Sequence, residues 1–571
     1  MNFTKAVVIV TILGLGLVAL NFSNKENGDK PEVSNSANAS FEELFEGIEF
    51  DMPMVQLPVI PDNEANIKDF GGIGNGLADN SLVFQKTIEH VSKLGGGKVI
   101  VPRGIWLTGP ITLKSNINLH TLEGALIIFD GDFDKYPLIE TSFEGLETYR
   151  CLSPINGKNL ENVAITGKGV FDGSGGSWRP VKKSKLTSSH WKKLVKSGGV
   201  LSDDKNTWYP SELSKNGDSN DNFNVPDFSS KEEFKAVKDF LRPVMVSLIK
   251  CKKVLLDGPT FQNSPAWNLH PLMCEDITLR NLTIRNPWFS QNGDGVDLES
   301  CKNAIIYNCS FDVGDDAICF KSGKNEDGLK RGMPTENVIV KNNIVYHGHG
   351  GFTIGSETSG GVRNVHISDC TFIGTDCGLR FKSTRGRGGV VENIYISNID
   401  MVNIPAEAIR FNLYYGGESP IPSDGNKKNK SVKREIVPVS ILTPSFKSIY
   451  MKNITATGSG VAAFFQGLPE MKLSDIHLEN VFLEAKKGIT MIDAKGIYLK
   501  NVSVMQDTGP AMILFNTKQL EVSSFKYKPS INPVFNIYGE ETENIVLQGF
   551  DVDMSSLKLS EEVDENAIVI K

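Results

Sequence analysis

Past residue 22 the 571-residue sequence lacks any uninterrupted apolar run near the roughly 18 residues that a membrane span requires, so the bulk of the chain is expected to be soluble. A basic excess is also missing. Lys plus Arg number 60 against 68 Asp plus Glu, for a net charge of -8. That excludes a general nucleic-acid-binding surface, and an acidic partner would need a local basic site. No CxxC pair suggests zinc, and no metal or other cofactor is expected. The eight cysteines, Cys151, Cys251, Cys274, Cys301, Cys309, Cys319, Cys370 and Cys377, are an even number, which leaves disulfides open in an exported chain. A chain this long does not need such staples, and Cys309 and Cys370 fall where apolar residues recur, so buried free thiols are favoured. Global disorder is excluded by a hydrophobic content of 40%.

What is present begins with Lys5 and an apolar run over 6–20, broken only by Thr11. Residues 1–22 read as a signal peptide or membrane anchor and 23–45 as a flexible linker. No clean A-x-A site follows the run and no cysteine is available for lipid attachment, so both alternatives stay open. Either one exports the chain, to a periplasmic, secreted or surface-anchored location, with membrane contact only if the segment is retained.

Self-similarity sets the fold. The pattern apolar-x-apolar-x-(Asn/Asp)-apolar-x-apolar recurs from Ile277, Ala304, Val365, Ile394, Ile449, Ile476 and Ile497, and more loosely from Val338. Copies with Gly at the polar position start at Val163, Val254 and Ile545. Period-2 alternation means a short strand with one buried face, and the fixed polar residue means that each strand ends at the same corner. Stacking at ~4.8 Å brings those amides within hydrogen-bond reach of each other. The steps between Asn281, Asn308, Asn342, Asp369 and Asn398 are 27, 34, 27 and 29 residues, too long and too irregular for a hexapeptide repeat. The expected fold is all-β, a right-handed parallel β-helix over 46–571 as a single domain. A β-sandwich would leave the ladder unexplained.

Before the coils, the glycines of 71–76 have the spacing G-x-x-G-x-G with no βαβ pattern after them, which argues against a dinucleotide fingerprint. Leu82, Phe84, Ile88, Val91 and Leu94 predict a helix that caps the open end of the solenoid. Insertions near 177–244 and 416–446 break the rhythm. The first mixes Trp178 and Trp191 with Lys182, Lys183, Lys185, Lys192 and Lys193, and insertions of this kind wall binding surfaces.

Aligning the second strands from Gly293, Asp315, His349 and Asp376, with Glu407 one position later, turns Val296, Ile318, Phe352 and Leu379 inward. Asp294 then lies beside Asp316, and Asp297, Cys319, Thr353, Arg380 and Arg410 form an outward row. The register thus gathers Asp294, Asp315 and Asp316 within one or two coil spacings, near the ~6.5–9.5 Å separation of inverting glycoside hydrolysis. Crowded carboxylates raise one pKa and supply an acid while the others stay ionised to activate water. Arg380 and Lys382 project together and can hold a substrate carboxylate. Each has a plainer reading: an Asp can bond its own turn, and the cations can offset Asp297 and Glu299 at the surface. His349 can be a turn histidine, and a zinc role for it is weak with no second His or Cys at ligand spacing.

At these residues the sequence resembles the polygalacturonase family of pectin-degrading enzymes, glycoside hydrolase family 28. The motifs Asn292-Gly293-Asp294, Asp315-Asp316, Gly348-His349-Gly350 and Arg380-Phe381-Lys382 appear in order within 69–501. The resemblance implies inverting hydrolysis of α-1,4-galacturonide bonds, with Asp315 as general acid and Asp294 and Asp316 on the attacking water. His349 would tune the acid, while Arg380, Lys382, Asn292, Arg410 and either Tyr414 or Tyr415 would hold substrate. Gly293 stands where many members have Thr, and Phe381 where many have Ile. The first insertion resembles those of exo-acting members, with Trp178, Lys182 and Lys183 expected on a terminal sugar. The implied partner is an acidic polysaccharide or oligosaccharide, and the chain is expected to act as a monomer. Competing readings are a hydrolase of rhamnogalacturonan, a lyase on the same solenoid, and a noncatalytic glycan-binding adhesin.

Overall fold

The computed structural model describes residues 41–220, 222–417, 435–528 and 532–571. The segment read as a signal peptide or anchor lies outside these, as do most of the linker and the centre of the second insertion. Residues 41–46 carry a 3-10 turn, Phe41–Phe45. Residues 47–571 form one compact unit, a right-handed parallel β-helix.

The repeat positions pair in the order that the sequence implies. Val163, Val254, Ile277, Ala304, Val338, Val365, Ile394, Ile449, Ile476 and Ile497 form one interior row, each fully buried. Coils at Ile117 and Leu520 also belong to it. They escape the pattern because Thr121 and Ser524 stand at their corners instead of Asn or Gly. In the Asn and Asp copies the corner residue is left-handed: Asn281, Asn308, Asn342, Asp369, Asn398, Asn453, Asn480 and Asn501 all have φ between 53° and 57°. Their side chains bond up the stack, as in Asn342 to Asn308 at 2.6 Å and Asn501 to Asn480 at 2.8 Å. A second ladder, Asn303, Asn337, Asn364 and Asn393, runs at the opposite end of the same strands.

All eight cysteines are free and buried, and Cys251, Cys274, Cys301, Cys309 and Cys370 fill the interior, as the packing argument expects of Cys309 and Cys370. Burial pushes the thiols of Cys309 and Cys370 up to about 12, which leaves them inert at neutral pH. Helix α1 (Ser81–Lys93) covers the first coils with Phe84, Ile88 and Val91. Leu82 is 67% exposed and Leu94 lies past the helix end, so only three of the five expected apolar contacts are made.

One sheet of the solenoid positions the chemistry. Its strands are β1 (Leu269–Leu272), β2 (Val296–Glu299), β3 (Ile318–Lys321), β4 (Gly350–Ile354), β5 (Cys377–Lys382) and β6 (Glu407–Asn412). The long strands β7 (Ser445–Gln466), β8 (Leu473–Ile492) and β9 (Ala494–Phe515) continue it. Phe381 continues an interior stack with Phe411 and Phe465, at centroid spacings of 4.2 and 5.2 Å, which accounts for an aromatic ring at that position.

Two excursions stand over β1 and β2. The first insertion folds into a small antiparallel sheet and three short helices. The other is a hairpin, Leu138–Phe143 with Leu146–Cys151, that sequence periodicity does not distinguish from another coil. Arg150 on the hairpin donates to the carbonyls of Arg242 and Asn224 in the insertion. Arg242 in turn donates to Gln291 O and Asn292 Oδ1, so the hairpin, the insertion and the loop ahead of β2 are tied together.

Candidate active site

The register stacks two rows on successive coils. Trp267, Asp294, Asp316, Gly350, Cys377 and Glu407 form the first, and His270, Asp297, Cys319, Thr353, Arg380 and Arg410 the second. Beside them, His349 N bonds Asp315 O and Cys377 N bonds His349 O, which aligns Asp315 and His349 at the same corner. The alignment expected for Asp294, Asp315, Asp316, His349, Arg380, Lys382 and Arg410 is therefore the observed one.

Three details refine the expectation. One oxygen of each of Asp294, Asp315 and Asp316 lies within 4.8 Å of the others. Two hydrogen bonds of ~2.7–2.8 Å can join such oxygens through a single water. Second, Asp297, Cys319 and Thr353 turn away from the interior yet are fully buried; Cys319 Sγ meets the carbonyl of Gly355, and Lys321, bonded to Glu357, faces Asp297. Third, the cations do not offset Asp297 and Glu299. Arg380 Nη1 lies 2.9 Å from Asp316 Oδ1 and Lys382 Nζ 2.8 Å from Asp316 Oδ2, whereas Glu299 pairs with His270 and Arg331. Lys321 is taken by Glu357 at 2.9 Å and faces Asp297 at 3.6 Å.

These contacts separate the three carboxyls. Burial, followed by the charges of Asp297 and Asp315, pushes Asp294 well above the ordinary carboxylate range, and its Oδ1 has no hydrogen-bond partner. Burial opposes ionisation of Asp316 as well, but Lys382, Arg380 and Lys321 outweigh it and hold that carboxyl far below the usual range. For Asp315, burial is more than offset by the hydrogen bond and charge of His349, whose Nδ1 lies 3.1 Å from Asp315 Oδ1. The same bond raises the His349 imidazole above 6.5 against its burial, and Asp376 lies 3.7 Å from Nε2. Burial and the neighbouring charges thus favour the protonated form of Asp294, and His349 the ionised form of Asp315.

The triad has the spacing to share a cation, but oxygens of Asp315 and Asp316 are already engaged by His349, Arg380 and Lys382. Positive charge at this point is supplied by the chain itself.

Of the other expected contacts, Tyr415 has its ring 4.8 Å from Lys382 Nζ and 5.8 Å from Arg380 Cζ. Tyr414 packs on the core and faces Arg385 instead, so the structure distinguishes two tyrosines that spacing could not. Asn292 is held by Arg242. Lys182 is exposed on the small sheet of the insertion, where it pairs with Thr207. Trp178 is fully buried against Phe133 and Tyr136 and has no face for a sugar. An aromatic residue not singled out from the sequence, Trp288, is 56% exposed on the loop leading to Asp294, with Lys185 of the insertion 5.3 Å from its ring.

The upstream end of the rows is closed. Trp267 is stacked on Phe143 of the hairpin at 4.4 Å and packed with Val225 and Val244 of the insertion. Downstream, Arg410 and Tyr415 remain partly exposed. The insertion reaches these rows through apolar contacts on Trp267, while Trp178, expected on a sugar, is buried.

Gly293 and Gly350 are among the glycines that contact requires at the site. A Cβ at Gly293 would lie 2.0 Å from Ser290 Oγ, so the threonine common at that position is excluded by Ser290. At Gly350 a Cβ would lie 2.2 Å from Thr353 Oγ1 and 2.9 Å from Asp316 Oδ1, an oxygen already pinned by Arg380. Gly350→Ala is expected to cost about 1–3 kcal/mol of stability and to lower activity by displacing Asp316, as thermal melting and initial rates will show. An unchanged rate would mean that Asp316 has room to move.

The model for "Glycosyl hydrolases family 28" matches residues 228–487. The chain is similar to a probable polygalacturonase of Vitis vinifera, 28% identical over 454 residues that cover 76% of this chain and 78% of the relative. Similarity to an exo-poly-alpha-D-galacturonosidase of Dickeya chrysanthemi is 28% over 358 residues, 61% of this chain and 57% of that protein. Among solved structures, a hyperthermoactive exopolygalacturonase from Thermotoga maritima is 33% identical with a TM-score of 0.62, covering 86% of this chain and 95% of that one.

Proposed function

The chain belongs to family 28 of the glycosyl hydrolases, and on that premise we propose that it is a polygalacturonase that removes short units from the end of α-1,4-galacturonide chains with inversion. The observation carrying the exo reading is the wall on Trp267, one coil upstream of Asp294: a polymer cannot run through the cleft, whereas a chain end can abut the wall.

In the proposed reaction, Arg380 and Lys382 hold the uronate carboxylate with the N–H groups not used on Asp316, and Tyr415 flanks them. Asn292, fixed by Arg242, positions the loop that carries Asp294. A water between Asp294 and Asp316 attacks the anomeric carbon. Its proton goes to Asp294, the carboxylate of higher proton affinity, while Asp316 stays ionised and orients it. As the glycosidic C–O bond breaks, the leaving oxygen takes a proton from Asp315, replenished from His349. A covalent route through Asp316 or Asp315 is disfavoured, because both oxygens of Asp316 are in ion pairs and Asp315 is bonded to His349, while Asp294 is the base for the water.

Proton NMR of polygalacturonate digestion tests both parts. The first-formed reducing end is expected to be the β anomer, with mono- or disaccharide from the outset and a slow fall in viscosity. An initial α anomer would overturn inversion, and an early ladder of oligomers with collapsing viscosity would overturn exo action.

A further inference from the structure

The two rows of the cleft run past the groups used above. The row of Arg380 and Arg410 continues through Phe464, Thr490 and Ile513 on β7, β8 and β9, and that of Asp316 and Glu407 through Val461, Lys487 and Thr508. The pairing of β8 with β9 shifts register between Lys487 and Ile489, where β9 accommodates Gly509 and Pro510. Such a bulge draws the backbone aside. A cavity of about 220 Å³ opens there, with Phe464, Lys487, Thr490 and Thr508 among its lining residues. Its one carboxylate, Glu407, is bonded to Arg410 at 3.2 Å, and Lys487 stands exposed at the rim.

We infer that this cavity is a second uronate subsite, in which one pyranose ring lies over Phe464 and its carboxylate meets Lys487. The inference rests on the proposed galacturonide hydrolysis and adds to it a determinant of chain length. The cleft is closed upstream at Trp267, so a bound chain can extend only toward β7 and β8. From β5, which carries Arg380 and Lys382, to β8 is three coil steps, about 14 Å at ~4.8 Å per coil. That distance places Lys487 several sugar units beyond the uronate gripped at the cleavage point. Phe464 is only 6% exposed and packs with Ile492 and Phe515, so it forms the apolar floor of the cavity on which one sugar face can rest, with Thr508 and Lys487 at the rim. The cavity holds one ring and not an oligosaccharide, as a single subsite requires.

Lys487→Ala, Lys487→Glu and Lys487→Arg are to be compared with the parent on digalacturonate and hexagalacturonate. For the hexamer, kcat/KM is expected to fall about tenfold in the alanine variant, further in the glutamate variant, and to recover in the arginine variant, as loss of one charge-assisted contact predicts. Turnover of the dimer, too short to reach Lys487, is expected to stay unchanged in all three. Calorimetry of hexagalacturonate binding, with Asp315→Asn as the background, should show the same ratio and lose it for the methyl-esterified hexamer. Cleavage of both lengths with no dependence on Lys487 overturns the subsite and leaves the hydrolase reading standing, and so does an equal loss on dimer and hexamer. If no galacturonide is cleaved yet hexagalacturonate binding still weakens in Lys487→Ala, the hydrolase reading fails and the subsite stands.

Discussion

Asp315→Asn is expected to lower kcat by about 10²- to 10⁴-fold, the range in which a positioned general acid contributes. The substitution keeps the shape of the side chain and its bond to His349 while removing the only carboxyl that can pass a proton outward from that pair. Asp316 keeps its two ion pairs, so melting temperature should barely move. Near-normal turnover would require a different acid.

The same pair sets a pH signature. His349 and Asp315 hold one proton between them, resting on the imidazole, whose pKa is raised above 6.5. A raised pKa keeps the proton in place at lower pH and releases it as pH rises through the raised value, so the alkaline limb of kcat/KM is expected above 6.5. In His349→Gln the carboxyl alone must hold the proton, and that limb should move toward acid. The opposite limb belongs to Asp294, which must be ionised to accept the water proton. Its raised pKa means that activity is lost as pH falls through a value above the ordinary carboxylate range.

Why the cleft was legible from sequence, and its end wall was not, follows from the register of the fold. A parallel solenoid repeats one pairing rule, so aligning Val296, Ile318, Phe352 and Leu379 fixes which residues stand beside Asp294 and Arg380 without further information. The rule ends where the chain leaves the coil. Phe143 reaches Trp267 from a hairpin more than a hundred residues earlier, and no periodicity records that contact. Burial inverted the reading of Trp178: an aromatic in a lysine-rich insertion looks like a sugar platform, yet it fills the space between Phe133 and Tyr136. Electrostatics was the other gap. Sequence placed Arg380 and Lys382 near the acids as reagents for substrate, but pairing distances of 2.9 and 2.8 Å show that their first partner is Asp316.

That double role gives the second large effect. Lys382→Ala is expected to reduce transition-state stabilisation by about 2 to 4 kcal/mol, roughly thirty- to a thousandfold in kcat/KM, because a charge-assisted contact in a partly desolvated cleft is lost. Arg380→Ala should fall in the same range. If the cations served only Asp316, the loss would be the same for free-acid and methyl-esterified substrates and would appear with a lower melting temperature, since breaking a buried pair leaves a carboxylate uncompensated. If they also grip the uronate, the parent should prefer the free acid and Lys382→Ala should erase much of that preference. Asp316 adds a sign that separates these effects. Its carboxyl, held far below the ordinary range, contributes stability that is present above the unfolded value near 3.8 and lost as pH falls through the folded one. Without Lys382 the folded pKa rises, so the variant should lose stability at a higher pH than the parent on acidification. Equal activity of the parent on esterified and free-acid substrates would remove the substrate role and leave Lys382 as a partner of Asp316 alone.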